Sequence, residues 1–179
     1  MTIGLEFANA LDPFRIPAQY LIALDNRALH FALQPWQFLI RAVHVFTVSI
    51  FFGAVLLLNL RLLGQAVELP LRPFFRLAMP VIHSSLTVTM ITGVALFFYD
   101  PVAVGSHDWL TPKLLFITLG FMNAAWLNSN GKAGRLTTPS GQLTFPGKTA
   151  VIIALALWTL TIFASCLNAE PPPRLLLNS

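Results

Sequence analysis

Two histidines sit in surroundings that give an ionisable ring little to bond with. His44 falls inside the charge-free run 42–60 and His83 inside the charge-free run 77–99. An ionisable side chain within such a run marks a functional site with a partner to be found. Imidazole is the usual axial ligand of haem iron, and facing helices of a bundle are a usual place to build that site. His44 and His83 are therefore the candidate cofactor-binding and metal-ligating residues, and iron is the candidate metal. His30 and His107 lie in interfacial or loop segments, where a solvated or structural role is the simpler reading.

Other residues around these runs extend or restrict that chemistry. Met79, His83, Thr87 and Met90 recur at spacings of four, four and three, which predicts one polar or polarisable stripe facing inward. Thr87 bonding to its own helix, with the methionines filling gaps, is the plainer account of those three. Trp158, Thr161, Ser165 and Asn168 form a second stripe suited to helix packing, while Gly53 and Gly93 would admit close approach of a helix or a flat macrocycle. His44 with Asp100, His107 and Asp108 could form an outer zinc, copper or proton site, although no HxH, HExxH or CxxC spacing occurs. The single cysteine, Cys166, excludes an intrachain disulfide and reads as a small packed side chain. Neither GxSxG nor GxxxxGK[ST] is present, and no span holds paired carboxylates, so hydrolase and ATPase chemistry is disfavoured. Whether the chain is an enzyme stays open.

The elements that must hold these residues follow from composition. The 179 residues are 56% hydrophobic and 10% charged, too apolar for an ordinary soluble domain. Charge-free runs at 42–60, 77–99, 114–131 and 149–169 each approach the ~20 residues needed to cross ~30 Å of hydrocarbon. Without water to satisfy the backbone, such spans must be helical, and short connections make successive helices antiparallel neighbours. The expected fold is all-α: an integral membrane four-helix bundle over 35–170. Ahead of it, 1–34 is expected to form an interfacial segment, with Leu21, Leu24, Ala28 and Phe31 on one face of an amphipathic helix that Gln34-Pro35-Trp36 breaks. The tail 171–179 is expected to be extended after its three prolines.

Charge sets the expected orientation. The 11 Lys and Arg are scattered singly, which speaks for membrane topology rather than for nucleic acid. Arg61, Arg72 and Arg76 against Glu68, and Lys132, Arg135 and Lys148 with no acid, place the first and third connections in the cytoplasm. Both termini then face the periplasm of a bacterial inner membrane. The opening residues carry Glu6 and Asp12 and do not read as a cleavable signal peptide. With Arg41 and Arg76 at opposite edges, His44 and His83 are expected ~15 Å apart along the membrane normal. One shared bis-histidine haem then requires a shift of register.

The stretches "RAVHVFTVSIFFG", "LLLNLRLLG", "RPFFRLAMPVIHSSLTVTMITGVALFF" and "WLTPKLL" resemble an uncharacterised four-helix family of bacterial membrane proteins, distantly similar to the copper-resistance protein CopD and the HemJ-type protoporphyrinogen oxidase. The resemblance runs from about Pro35 onward. It implies a b-type haem or a membrane redox partner, with His44 matching the first-helix histidine and Lys113 a functional third-helix lysine. The HemJ group carries W-x-H-x-K where this chain has Trp109-Leu110-Thr111-Pro112-Lys113. Lys113 itself has two readings, a snorkelling interfacial anchor or a cation for a haem propionate or quinone oxygen.

The expected function is that of a haem b protein passing electrons between a quinone, or a partner subunit, and another redox centre. A noncatalytic subunit packed in a larger respiratory or transport complex is one alternative. A copper- or proton-handling membrane protein is the other.

Overall fold

The structure is a computed structural model that describes residues 15–65, 70–132 and 143–169. The expected tail at 171–179 and the start of the leader lie outside the described residues. The described residues are 88% helical, with no strand among them. In chain order the helices are α1 (Ala18–Leu24), α2 (Arg27–Leu33), a 3₁₀ turn (Gln34–Trp36), α3 (Gln37–Leu62), α4 (Leu71–Tyr99), α5 (Pro101–Gly105), α6 (Leu110–Lys132) and α7 (Phe145–Ala169). Four helices, α3, α4, α6 and α7, are long and apolar enough to cross a membrane. This is the all-α helical bundle expected from the sequence.

Each long helix starts earlier than its charge-free run. α3 begins at Gln37 and α4 at Leu71, so Arg41, Arg72 and Arg76 are helical residues on exposed surface. A charge ends a hydrophobic run without ending a helix, because arginine is a good helix former. Pro80 lies inside α4 and removes the N–H that would bond to the Arg76 carbonyl. The helix continues through it.

The leader differs from the single helix expected. Asp25 leaves helical geometry, and the Asn26 side chain accepts hydrogen bonds from the N–H groups of Ala28 and Leu29, which starts α2 afresh. Gln34-Pro35-Trp36 tightens into a 3₁₀ turn that leads directly into α3 instead of breaking the path. Pro35 is accommodated because an N–H so early in that turn needs no helical partner.

The core lies where α3, α4 and α7 meet. Phe51, Val55 and Leu58 recur at four and three residues along α3 and pack with Ala78 and Ile82 of α4 and Ala154 and Trp158 of α7. Phe51 meets the Trp158 ring edge to face with centroids 4.7 Å apart. α6 joins through small and polar groups: a Cβ on Gly120 would stand 3.1 Å from Trp158, and Asn123 Nδ2 donates to the Ala150 carbonyl at 2.9 Å. α3 with α4 and α6 with α7 form two closely packed hairpins, which α3 joins by meeting α7. The consecutive helices α4 and α6 touch only sparsely, contrary to the expectation that all successive spans pack as neighbours.

Short elements cover one end of the bundle. Leu21 of α1 is 1% exposed and seats against Gly105 of α5, where any side chain would collide with it. Asp100 starts α5 by accepting from the Ala103 N–H at 2.9 Å, with Pro101 at the first helical position. His30 of α2 stacks on Tyr99, centroids 4.5 Å apart, and its Nδ1 donates to the Tyr99 carbonyl at 2.6 Å. Arg15 pairs with Asp108.

Candidate functional site

His44 is the one intramembrane histidine that the fold places between helices. Its partly buried ring reaches from α3 to the last turns of α4, where Nδ1 lies 2.9 Å from Thr92 Oγ1. Threonine suits this position because its hydroxyl can bond both to its own helix and across to another. Thr92 Oγ1 donates back toward the Val88 carbonyl at 2.7 Å, with the Thr89 carbonyl at 3.1 Å. One turn deeper, Thr89 Oγ1 donates to Thr47 Oγ1 at 2.9 Å, and Thr47 donates in turn to the Val43 carbonyl at 2.9 Å. The two helices are thus joined by polar contacts in an otherwise apolar layer, as helices in lipid commonly are.

Gly93 makes room for the ring. A Cβ there would stand 3.1 Å from His44 Cε1, tighter than ordinary contact. Close approach does require this glycine, although it serves the imidazole itself. Gly53 has no side-chain or backbone neighbour within 4 Å of where its Cβ would be, so it makes no such contact.

Lys113 stands in the first turn of α6, half-buried, and near enough to His44 for its charge to be felt at that ring. Among the described residues its ammonium has no carboxylate partner. A cation therefore stands within electrostatic range of the imidazole that α3 holds against α4. Sequence reasoning named His44, Gly93 and Lys113 but missed Thr92 and Thr89. The signal available was T-x-x-T-G, a pair of hydroxyls three apart just ahead of the glycine.

His83 is elsewhere. It lies nine residues before Thr92 on α4, which is about 13 Å along the helix and half a turn round it. Its side chain is exposed, as are Thr87 and Met90, while Met79 alone of that stripe packs partly against the core. The inward stripe expected there is corrected: α4 turns Ala78, Ile82 and Ser85 to its neighbours. Small or branched side chains let α3 come close, and Thr87 satisfies its hydroxyl on the His83 carbonyl of its own helix at 2.8 Å. His44 and His83 consequently do not converge on a common point within one chain.

The outer grouping does not assemble either. Asp100 is used as a helix cap, Asp108 is paired with Arg15, and among the described residues no three His, Cys, Asp or Glu side chains gather closely enough to hold a metal ion. The second polar stripe does pack: Trp158 and Thr161 are buried, and the Asn168 side chain lies outside the described residues. Cys166 is exposed on α7 instead of packed. A small residue near the end of a span need not face inward when the core is filled by Ala154, Trp158 and Ala164.

Comparison of the chain with protein-family models, with curated proteins and with solved structures finds no match.

Proposed function

We propose that this chain is an inner-membrane haem b protein that passes electrons between a quinone, or a partner subunit, and another redox centre. The carrying observation is an oriented imidazole, His44, held between α3 and α4, with Lys113, a cation that has no carboxylate partner among the described residues, in electrostatic range of it. This donor set would place His44 on a haem iron and Lys113 on one of its propionates. It does not fit a haem ligated by both histidines of the same chain, because His83 is on the far side of α4. Haem iron would supply one-electron chemistry. The protein's part is to hold the His44 ring still, keep a cation beside it and exclude water with the apolar walls of the bundle. Loop charge supports a bacterial inner membrane with both termini periplasmic.

The expected result is a reduced-minus-oxidised spectrum with Soret and alpha bands from the purified chain. His44→Ala should abolish it and Lys113→Gln should weaken haem retention. A colourless preparation from haem-replete cells would overturn the reading.

His83 favours a second reading, that of a subunit packed against a larger respiratory or transport complex. An imidazole on the exposed face of a spanning helix gains most if another helix covers it. Stoichiometric copurification of a partner that is lost on His83→Leu, with no haem bands, would support this reading over the first.

A further inference from the structure

We propose that Thr92 is a positioning residue that holds His44 as the Nδ1–H tautomer, so that Nε2 presents a lone pair to the site's ligand. A hydroxyl has one proton to give. Thr92 Oγ1 directs its proton at the carbonyls of its own helix, Val88 at 2.7 Å and Thr89 at 3.1 Å, and so faces His44 Nδ1, 2.9 Å away, with a lone pair. An acceptor facing Nδ1 requires the hydrogen to be on that nitrogen. In the neutral ring the other nitrogen then carries none.

Gly93 completes the arrangement by leaving room for Cε1 to lie against the α4 backbone. Outer hydrogen bonds of this kind fix the tautomer and orientation of ligating histidines. The inference rests on His44 being the ligand-bearing residue of the proposed function, and it narrows what that ligand is. An acceptor nitrogen takes a Lewis acid such as haem iron, or a hydrogen-bond donor such as a quinol hydroxyl. It does not take the carbonyl oxygen of an oxidised quinone, which needs a donor. Lys113, with three N–H groups, is the residue of this site that would meet such an oxygen.

Nitrogen-15 NMR of histidine-labelled full-length chain in lipid nanodiscs without haem tests this directly, with His44 assigned by its loss in His44→Gln. The expected spectrum shows His44 with a protonated Nδ1 and an unprotonated Nε2. Thr92→Val should move both resonances toward a mixed tautomer and Thr92→Ser should restore them. In haem-loaded protein, Thr92→Val should weaken retention about 10-fold or more. A proton found on Nε2 in the wild type overturns the proposal without needing any variant to fold. Resonances unmoved in a folded Thr92→Val overturn it too, even where haem bands persist. The expected tautomer in a protein that shows no haem bands leaves the positioning role standing and removes the haem reading alone.

Discussion

At the scale of single residues, the chain's polar side chains divide by whether the helix can satisfy them locally. Thr87, Thr118, Thr149 and Thr161 each return their hydroxyl to a carbonyl four residues back, so their polarity is legible as harmless from spacing alone. An imidazole cannot reach back in that way, and this is why His44 was readable as a site residue without coordinates. Asn59 is the opposite case. It is 7% exposed in the C-terminal half of α3, and its side-chain amide has no hydrogen-bond partner among the described residues. Leaving such a group unpaired costs about 1–3 kcal/mol. Asn59→Leu, close in volume, should therefore raise stability by about 1–2 kcal/mol in chemical unfolding from detergent. A loss of stability would show that the amide has a partner, water or protein, in the membrane.

At the scale of elements, the helices were the most readable part of the chain and their breaks the least. Asp25-Asn26 splits the leader because the Asn26 side chain competes for backbone N–H groups, a local effect that apolar periodicity does not register. Asp100-Pro101 starts α5 by the same logic, and there the cap and the proline at the first position were visible signals of a helix in what otherwise read as a loop. α1 docks on α5 through Leu21 and Gly105, a contact between residues that no sequence pattern links. Gly105→Ala should undock α1 at a cost of about 1–3 kcal/mol, since the Leu21 side chain is enclosed and has nowhere to shift. Limited proteolysis near Gln19 and Tyr20 should accelerate, and adding Leu21→Ala should undo part of the effect. Unchanged cleavage would mean that α1 is held by something else.

For the whole molecule, the arrangement is two tight hairpins joined through α3 and α7, with α4 and α6 barely in contact. The short helices α1, α2 and α5 pack on one another and on α4 at one end of the bundle. Four spans require the connection after α3 and the one after α4 to lie on opposite faces of the bilayer. With the orientation proposed above, and in a Cys166→Ser background, Ser106→Cys should react with an impermeant maleimide in intact spheroplasts, whereas Gln65→Cys should react only after permeabilisation. Both positions are exposed, so equal labelling from one side would contradict the four-span topology.

Sequence by itself determined the class of this protein. Apolar runs of bilayer length, few charges and no water to solvate a bare backbone leave helices as the only way to cross, and an imidazole within such a run is conspicuous whatever surrounds it. What only the tertiary structure decided is which imidazole faces inward. His44 and His83 are alike in sequence as lone imidazoles within charge-free runs. They are separated by the packing of α4, which turns Ala78, Ile82, Ser85, Thr92 and Gly93 toward its neighbours and leaves His83 outside. The rotation of a helix about its axis depends on volumes supplied by other helices, distant in the chain, and a hydrophobic run with apolar residues on every face carries no local record of it.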